Sequence, residues 1–281
     1  MTKTEKKNLI KFITKEIERD TLYLPSLPSV ARDVRDALNQ YPNISAQDIS
    51  DIIVTDPALS AYLIKVANSS LYSQRGRKQN SIKGAISLLG NECAVNLITI
   101  YSIKQVFTSP SDLYTSVFVQ TLNHSLSVSA ICHGLASFSA NINPDTAMLA
   151  GLVHQIGKLP ALTFLSKGNH LLPEDQLNDI LAEIHPQMGQ LILESWHFPE
   201  ELISVPNDYL NFSRQSGHEL DYTDIVTAAY LQECMNSPHP HGNIDWSKVA
   251  AFSKLGLILS VDDTECKDLI KGIESRNTIL P

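Results

Sequence analysis

Apolar residues recur at helical spacing along almost the whole chain, and no run alternates apolar and polar side chains between hairpin turns. Residues 5–19 set Leu9, Ile10, Phe12, Ile13 and Ile17 on one broad face. Leu24-Pro25-Ser26-Leu27-Pro28-Ser29 interrupts the pattern, because proline lacks the amide hydrogen of a helix and pushes the preceding residue towards extended backbone. Val30, Val34, Ala37 and Leu38 then predict a helix to about Gln40. Ser45 caps a second helix, with Ile49, Ile52 and Ile53 as its stripe. Asp56-Pro57 starts a third. Its carboxylate accepts from the first-turn amides, and proline suits the first helical position. That helix carries Leu59, Leu63, Val66 and Ala67 and ends near Asn68-Ser69-Ser70. Ser81 opens a helix that stops at Gly90, and Asn91 caps one that runs through Val95, Leu97, Ile98 and Ile103 to Phe107.

Ser109-Pro110-Ser111-Asp112 breaks the periodicity and predicts a lobe boundary. Residues 113–144 carry no charged side chain and read as a long helix, and Asn143-Pro144 then caps the helix that leads to His154. Leu172-Pro173-Glu174 is a further start, and His185-Pro186 and Phe198-Pro199-Glu200-Glu201 each predict a short helix. Residues 205–219 read as irregular, 223–234 as helical and 237–243 as a loop. Asp262-Asp263-Thr264-Glu265 is close to a capping box for a last helix. The expected fold class is therefore all-α. The expected organisation is an N-terminal helix over 1–21, lobes over 22–109 and 110–215, and C-terminal helices over 216–281 that complete or flank the second lobe.

Charge narrows the partners. The net charge is −8, from 22 Lys+Arg against 30 Asp+Glu, so the chain is not built to neutralise a phosphate backbone and no nucleic-acid partner is expected. Arg75-Gly76-Arg77-Lys78 is a local exception, read as a solvated loop tip. The basic N-terminus is no secretory signal, because Lys11, Lys15 and Glu16 interrupt the apolar stretch such a signal needs. Gln120, Asn123, His124, His133 and many serines make residues 113–144 too polar for a membrane span. A cytoplasmic protein without a membrane partner is expected, and composition leaves self-association open. Cys93, Cys132, Cys234 and Cys266 are widely spaced and form neither a zinc knuckle nor a redox pair.

Several short motifs occur in a telling order: Leu24-Pro25-Ser26-Leu27-Pro28, Asp56-Pro57-Ala58-Leu59, Ala67-Asn68-Ser69-Ser70-Leu71-Tyr72 and Ala85-Ile86-Ser87-Leu88-Leu89-Gly90. Gly151-Leu152-Val153-His154-Gln155-Ile156-Gly157-Lys158, His185-Pro186-Gln187-Met188-Gly189 and Trp196-His197-Phe198-Pro199 follow. Together, over about residues 22–206, they resemble the HDOD family, the bacterial signalling relatives of HD-type metal phosphohydrolases. The resemblance implies an HDOD-like helical bundle, with a smaller N-terminal helical lobe packed on an HD-like lobe. It also implies a regulator or interaction module rather than an enzyme.

An active HD site needs a first His, a His-Asp doublet and a distant Asp, which hold divalent ions that activate water for attack on phosphorus. By resemblance His124 stands at the first position and His154 at the doublet. Gln155 replaces the doublet Asp, bringing a carbonyl but no charge. The distant Asp is expected around Ala229-Tyr230-Leu231, where Tyr230 stands and no acid does. Asp224, six residues before Tyr230, lies about 120° round a helix from that face. His185 matches a further family histidine. The His pair of two-metal relatives, expected just after Val205, is replaced by Pro206-Asn207-Asp208-Tyr209.

The expectation is a degenerate HD site at His124, His154, Gln155, His185 and Tyr230, with His124 and His154 buried and neutral, and with no catalytic residue, no metal and no cofactor. Blander readings stand beside it. His185-Pro186 is as readily a helix start, His133 is structural on the face opposite His124, and His239 and His241 flank Pro240 in a loop. Lys158 reads as a surface lysine after a helix end, where its charge suits the dipole. Asn68 and Tyr72, four apart, could fix a contact between lobes. The expected function is a non-catalytic signalling module that binds a protein partner or a small regulatory ligand. The alternative is a divergent metal-dependent phosphohydrolase of nucleotides or cyclic dinucleotides, with His124, His154 and His185 as ligands.

Overall fold

The caps and prolines that punctuate the sequence also delimit the helices. The computed structural model describes residues 27–41, 43–70, 72–73, 78–106, 114–167, 172–214, 217, 219–235 and 239–256, with positions 8, 11, 12 and 15. Among these residues every regular element is helical. They fall into two compact units, one over Ser26–Val106 and one that takes up the chain from Phe107. The predicted helices over 5–19 and after Asp262 lie outside the described residues, apart from those four N-terminal positions, and Phe12 meets Phe164 at 5.9 Å between ring centroids.

The first unit holds α1 (Ser29–Gln40), α2 (Ala46–Ile53), α3 (Pro57–Ala67), α4 (Ile82–Leu89) and α5 (Asn91–Val106). Ser45 Oγ accepts from the Asp48 amide at 3.2 Å while the Asp48 carboxylate accepts from the Ser45 amide at 3.1 Å, a reciprocal cap. Asp56 Oδ1 accepts from the amides of Ala58 and Leu59, both at 3.0 Å. Gly90, with φ of +87°, separates α4 from α5 in a conformation that a side chain resists.

Asn91 does not cap α5 but is its first residue, and its Nδ2 donates to Ile44 O and ties down the loop before α2. Asn68 is also spent inside this unit: its Nδ2 donates to Gln79 O at 2.9 Å and its Oδ1 accepts from Gln79 N at 2.7 Å. It closes the loop between α3 and α4. Lys78 is exposed, and the rest of the basic loop tip lies outside the described residues.

The second unit holds α6 (Thr115–Ala136), α7 (Pro144–Val153), α8 (Lys158–Lys167), α9 (Glu174–Ser195), α10 (Glu200–Ile203), α11 (Val205–Asp208), α12 (Tyr222–Met235) and α13 (Ala250–Lys254), with 3-10 turns at Pro240–Asn243 and Trp246–Lys248. Helices α6, α7 and α12 pack on one another, α8 packs on α9, and α12 carries α13 and the first 3-10 turn.

Two expectations are corrected here. His185-Pro186 starts no helix, because α9 runs through Pro186. The proline removes one helical hydrogen bond, yet Ile184, His185, Met188, Gly189 and Ile192 form a buried face continuous across it, and that packing keeps the helix whole. Residues 205–219 are not uniformly irregular either, since α11 lies within them and Val205, Pro206 and Tyr209 are buried.

Among the described residues, one unbroken stretch, Pro144–Ser166, is long and apolar enough by composition to cross a bilayer. It consists of α7, α8 and the turn between them, and 83% of its apolar window is buried inside the protein.

Candidate functional site

Two glycines let three helices of the second unit approach one another at one point. A Cβ on Gly151 of α7 would lie 2.6 Å from Ser129 Cα of α6. A Cβ on Gly157 would lie 2.1 Å from His185 O and 2.5 Å from Gly189 N, both on α9. Real Cβ atoms do not come so close to backbone, so glycine is required at both positions. Between them α7 ends at His154, residues 154–157 form a turn, and α8 begins at Lys158. The His-Gln doublet is thereby carried close to α6 on one side and α9 on the other.

The aromatic rings show how tightly the sequence-predicted residues converge. His124 of α6 and His154 are 5.3 Å apart between ring centroids. Tyr230 of α12 lies 5.7 Å from His124 and 6.2 Å from His154. His185 of α9 joins them through Tyr209, which is 5.9 Å from His185, 4.9 Å from His154 and 5.2 Å from Tyr230. Sequence reading gave Tyr209 only as part of the stretch that replaces the family's His pair, with no role in the site. It stands where two-metal relatives would place histidine, and only the fold shows its ring at the centre.

Three further side chains enter, against expectation. Lys158 is not a surface lysine after a helix end. It opens α8, and its Nζ donates to Gln155 Oε1 at 2.8 Å. Gln155 Nε2 in turn donates to Tyr209 Oη at 3.4 Å, and Tyr209 Oη lies 3.4 Å from His185 Nε2. His239 and His241 do more than flank a proline. Their 3-10 turn packs on α12, with His241 Nδ1 2.9 Å and His239 Nε2 3.5 Å from Tyr230 Oη. Asp224 is spent elsewhere, 2.8 Å from Lys254 Nζ and 3.4 Å from Arg214 Nη1. His133 lies 3.7 Å from Asp145.

Electrostatics follow from burial. His154 Nδ1 lies 2.6 Å from Gly151 O, an acceptor only, so Nδ1 carries the proton and Nε2 presents a lone pair. Among the described residues, His124 Nε2, His154 Nε2 and His185 Nδ1 find no hydrogen-bond partner. Burial first, and the Lys158 ammonium second, push His124 down to about 4 and His185 down to about 3. His154 falls well below its ordinary value by burial, with His124, Lys158 and His185 adding to the shift and the Gly151 carbonyl opposing it. Burial alone lowers Lys158 to about 8. At neutral pH the imidazoles are therefore neutral and the lysine carries the charge.

This donor set does not fit a divalent cation. Gln155 Oε1 already accepts from an ammonium, and Tyr230 Oη is engaged by His241. Burial pushes both tyrosines up, so neither supplies a phenolate. No three His, Cys, Asp or Glu residues among those described are grouped to hold a metal. The imidazole nitrogens offer lone pairs but no charge, and beside the resident ammonium a second cation meets repulsion that no carboxylate offsets.

An all-helical fold with histidines converging from facing helices places the chain with HD-related proteins. The chain belongs to the HDOD family, whose domain model matches residues 24–208. Among solved structures it is similar to a Shewanella amazonensis SB2B protein that carries the provisional name metal-dependent phosphohydrolase. That protein is 28% identical with a TM-score of 0.81, over 98% of this chain and 99% of the other. An HDOD domain protein of unknown function from Geobacter sulfurreducens is 18% identical, with a TM-score of 0.58, over 90% of this chain and 93% of its own. A Marinobacter aquaeolei VT8 protein, provisionally named for signal transduction, is 22% identical, with a TM-score of 0.65, over 92% of this chain and 59% of its own. None of the curated proteins matches significantly.

Proposed function

We propose that this protein is a non-catalytic regulatory module that acts by binding a protein partner or a small ligand. One observation carries the reading: at the doublet position, where HD chemistry needs a carboxylate to hold a metal, an amide accepts from a lysine ammonium at 2.8 Å. Lys158 supplies the positive charge that a metal would bring, but an ammonium has no open coordination position at which to make hydroxide. The net charge of −8 favours a protein or small-molecule partner over nucleic acid.

The alternative is a divergent phosphohydrolase, favoured by the provisional name of the 28%-identical Shewanella protein. It would use His124, His154 and His185. Elemental analysis of the purified protein decides between the two, together with turnover of a nucleotide and cyclic-dinucleotide panel in the presence of Mn, Fe or Zn. The regulatory reading expects substoichiometric metal and background turnover, unchanged in His154→Ala. Turnover that disappears in His154→Ala would establish the enzyme.

A further inference from the structure

The first unit carries a groove of about 730 Å³ that the histidine site does not use. Ala37, Gln40 and Tyr41 at the end of α1 form one wall, Asn43 and Ile44 of the following loop lie between, and Asp48, Asp51 and Ile52 of α2 form the other. Its walls are fixed in advance. Ile44 N donates to Tyr41 O at 2.9 Å, Asn91 Nδ2 donates to Ile44 O, and the Ser45–Asp48 cap locks the start of α2. Tyr41 is 59% exposed and offers its ring to a partner.

Charge selects the occupant. Among the described residues, the lining holds two carboxylates and no cationic side chain. Asp48 and Asp51, three apart on one helix, are neighbours on its surface and repel each other. Each has an oxygen to spare. Ser45 engages only Oδ2 of Asp48, and Gln47 engages only Oδ1 of Asp51. The Ser45 hydrogen bonds hold Asp48 below its ordinary range, so it stays ionised.

We infer that this groove docks a cationic amphipathic segment of a partner protein. An arginine or lysine of that segment sits between Asp48 and Asp51, and an apolar side chain enters against Tyr41, Ala37, Ile44 and Ile52. The inference does not depend on how the histidine site is read.

The test places the photo-cross-linker p-benzoylphenylalanine at position 41 of the full chain in its native cell and sequences the peptide that it captures. A segment with Arg or Lys beside apolar residues is expected. The captured segment, made synthetically, should bind the wild-type protein and lose affinity about tenfold for Asp51→Lys, a substitution that leaves the Ser45–Asp48 cap intact. Binding should also weaken with salt. The inference is overturned by capture of an acidic or uncharged segment, by capture of another copy of this chain, by absence of any cross-link, or by undiminished affinity in Asp51→Lys.

Discussion

The ammonium of Lys158 sits beside imidazoles that it helps to keep neutral. Burial is the larger cause of their lowered proton affinity and the lysine the next for His124 and His185. The consequence for stability has a definite sign. An unfolded histidine takes up a proton near pH 6.5, while the folded ones resist until about 4 or below, so between these values the unfolded chain binds more protons. The stability contributed by these groups is whole above pH 6.5 and is lost as pH falls, by about 1 kcal/mol per pH unit for each histidine. Lys158→Met removes one cause of the shift. We expect its stability loss between pH 7 and pH 4.5 to be smaller than that of wild type, measured by urea denaturation at each pH. Equal losses would mean that the lysine does not reach the imidazoles. Sequence alone read Lys158 as a surface lysine because its charge suits the dipole of a helix end, and that local argument takes no account of a turn that folds a helix start inwards.

At the scale of elements, glycine decides the geometry. The sequence marks Gly151 and Gly157 within the motif but gives no reason for them, since a glycine in an apolar helical run reads equally as tolerance or as close approach. The structure supplies the reason: α7 touches the backbone of α6, and the start of α8 touches that of α9. Gly157→Ala should destabilise the protein by about 3 kcal/mol or more, because its Cβ would meet backbone that cannot rotate away. Gly84→Ala is the comparison. Its Cβ would meet the side-chain end of Gln79 and the Ser81 Oγ that caps α4, and no backbone, while alanine favours a helix, so a smaller change of about 1 kcal/mol is expected. Chemical denaturation of both variants checks the contrast. Pro186 teaches the converse lesson. A proline that reads as a helix start is carried inside α9 because the buried face continues on both sides of it.

At the scale of the whole molecule, the acidic balance predicts behaviour that no single residue does. With a net charge of −8, the protein should pass a DNA column without salt-dependent retention even at low ionic strength. Retention that falls steeply as salt rises would point to a concentrated basic face that the net charge conceals.

The positions His124, His154, Gln155, His185 and Tyr230 came from the order of motifs that resembles the HDOD family, whereas the all-helical class and most helix starts were legible in local patterns. Local rules govern them: apolar residues must share a helix face, first-turn amides need acceptors, and proline cannot donate. Residues from distant parts of the chain met only on folding. Tyr209 comes from a stretch with no apolar period, and His239 and His241 come from a loop, so no local pattern announces that their rings close on Tyr230. Contacts between segments are set by backbone approach and turn geometry, quantities that residue types in sequence order do not encode one position at a time.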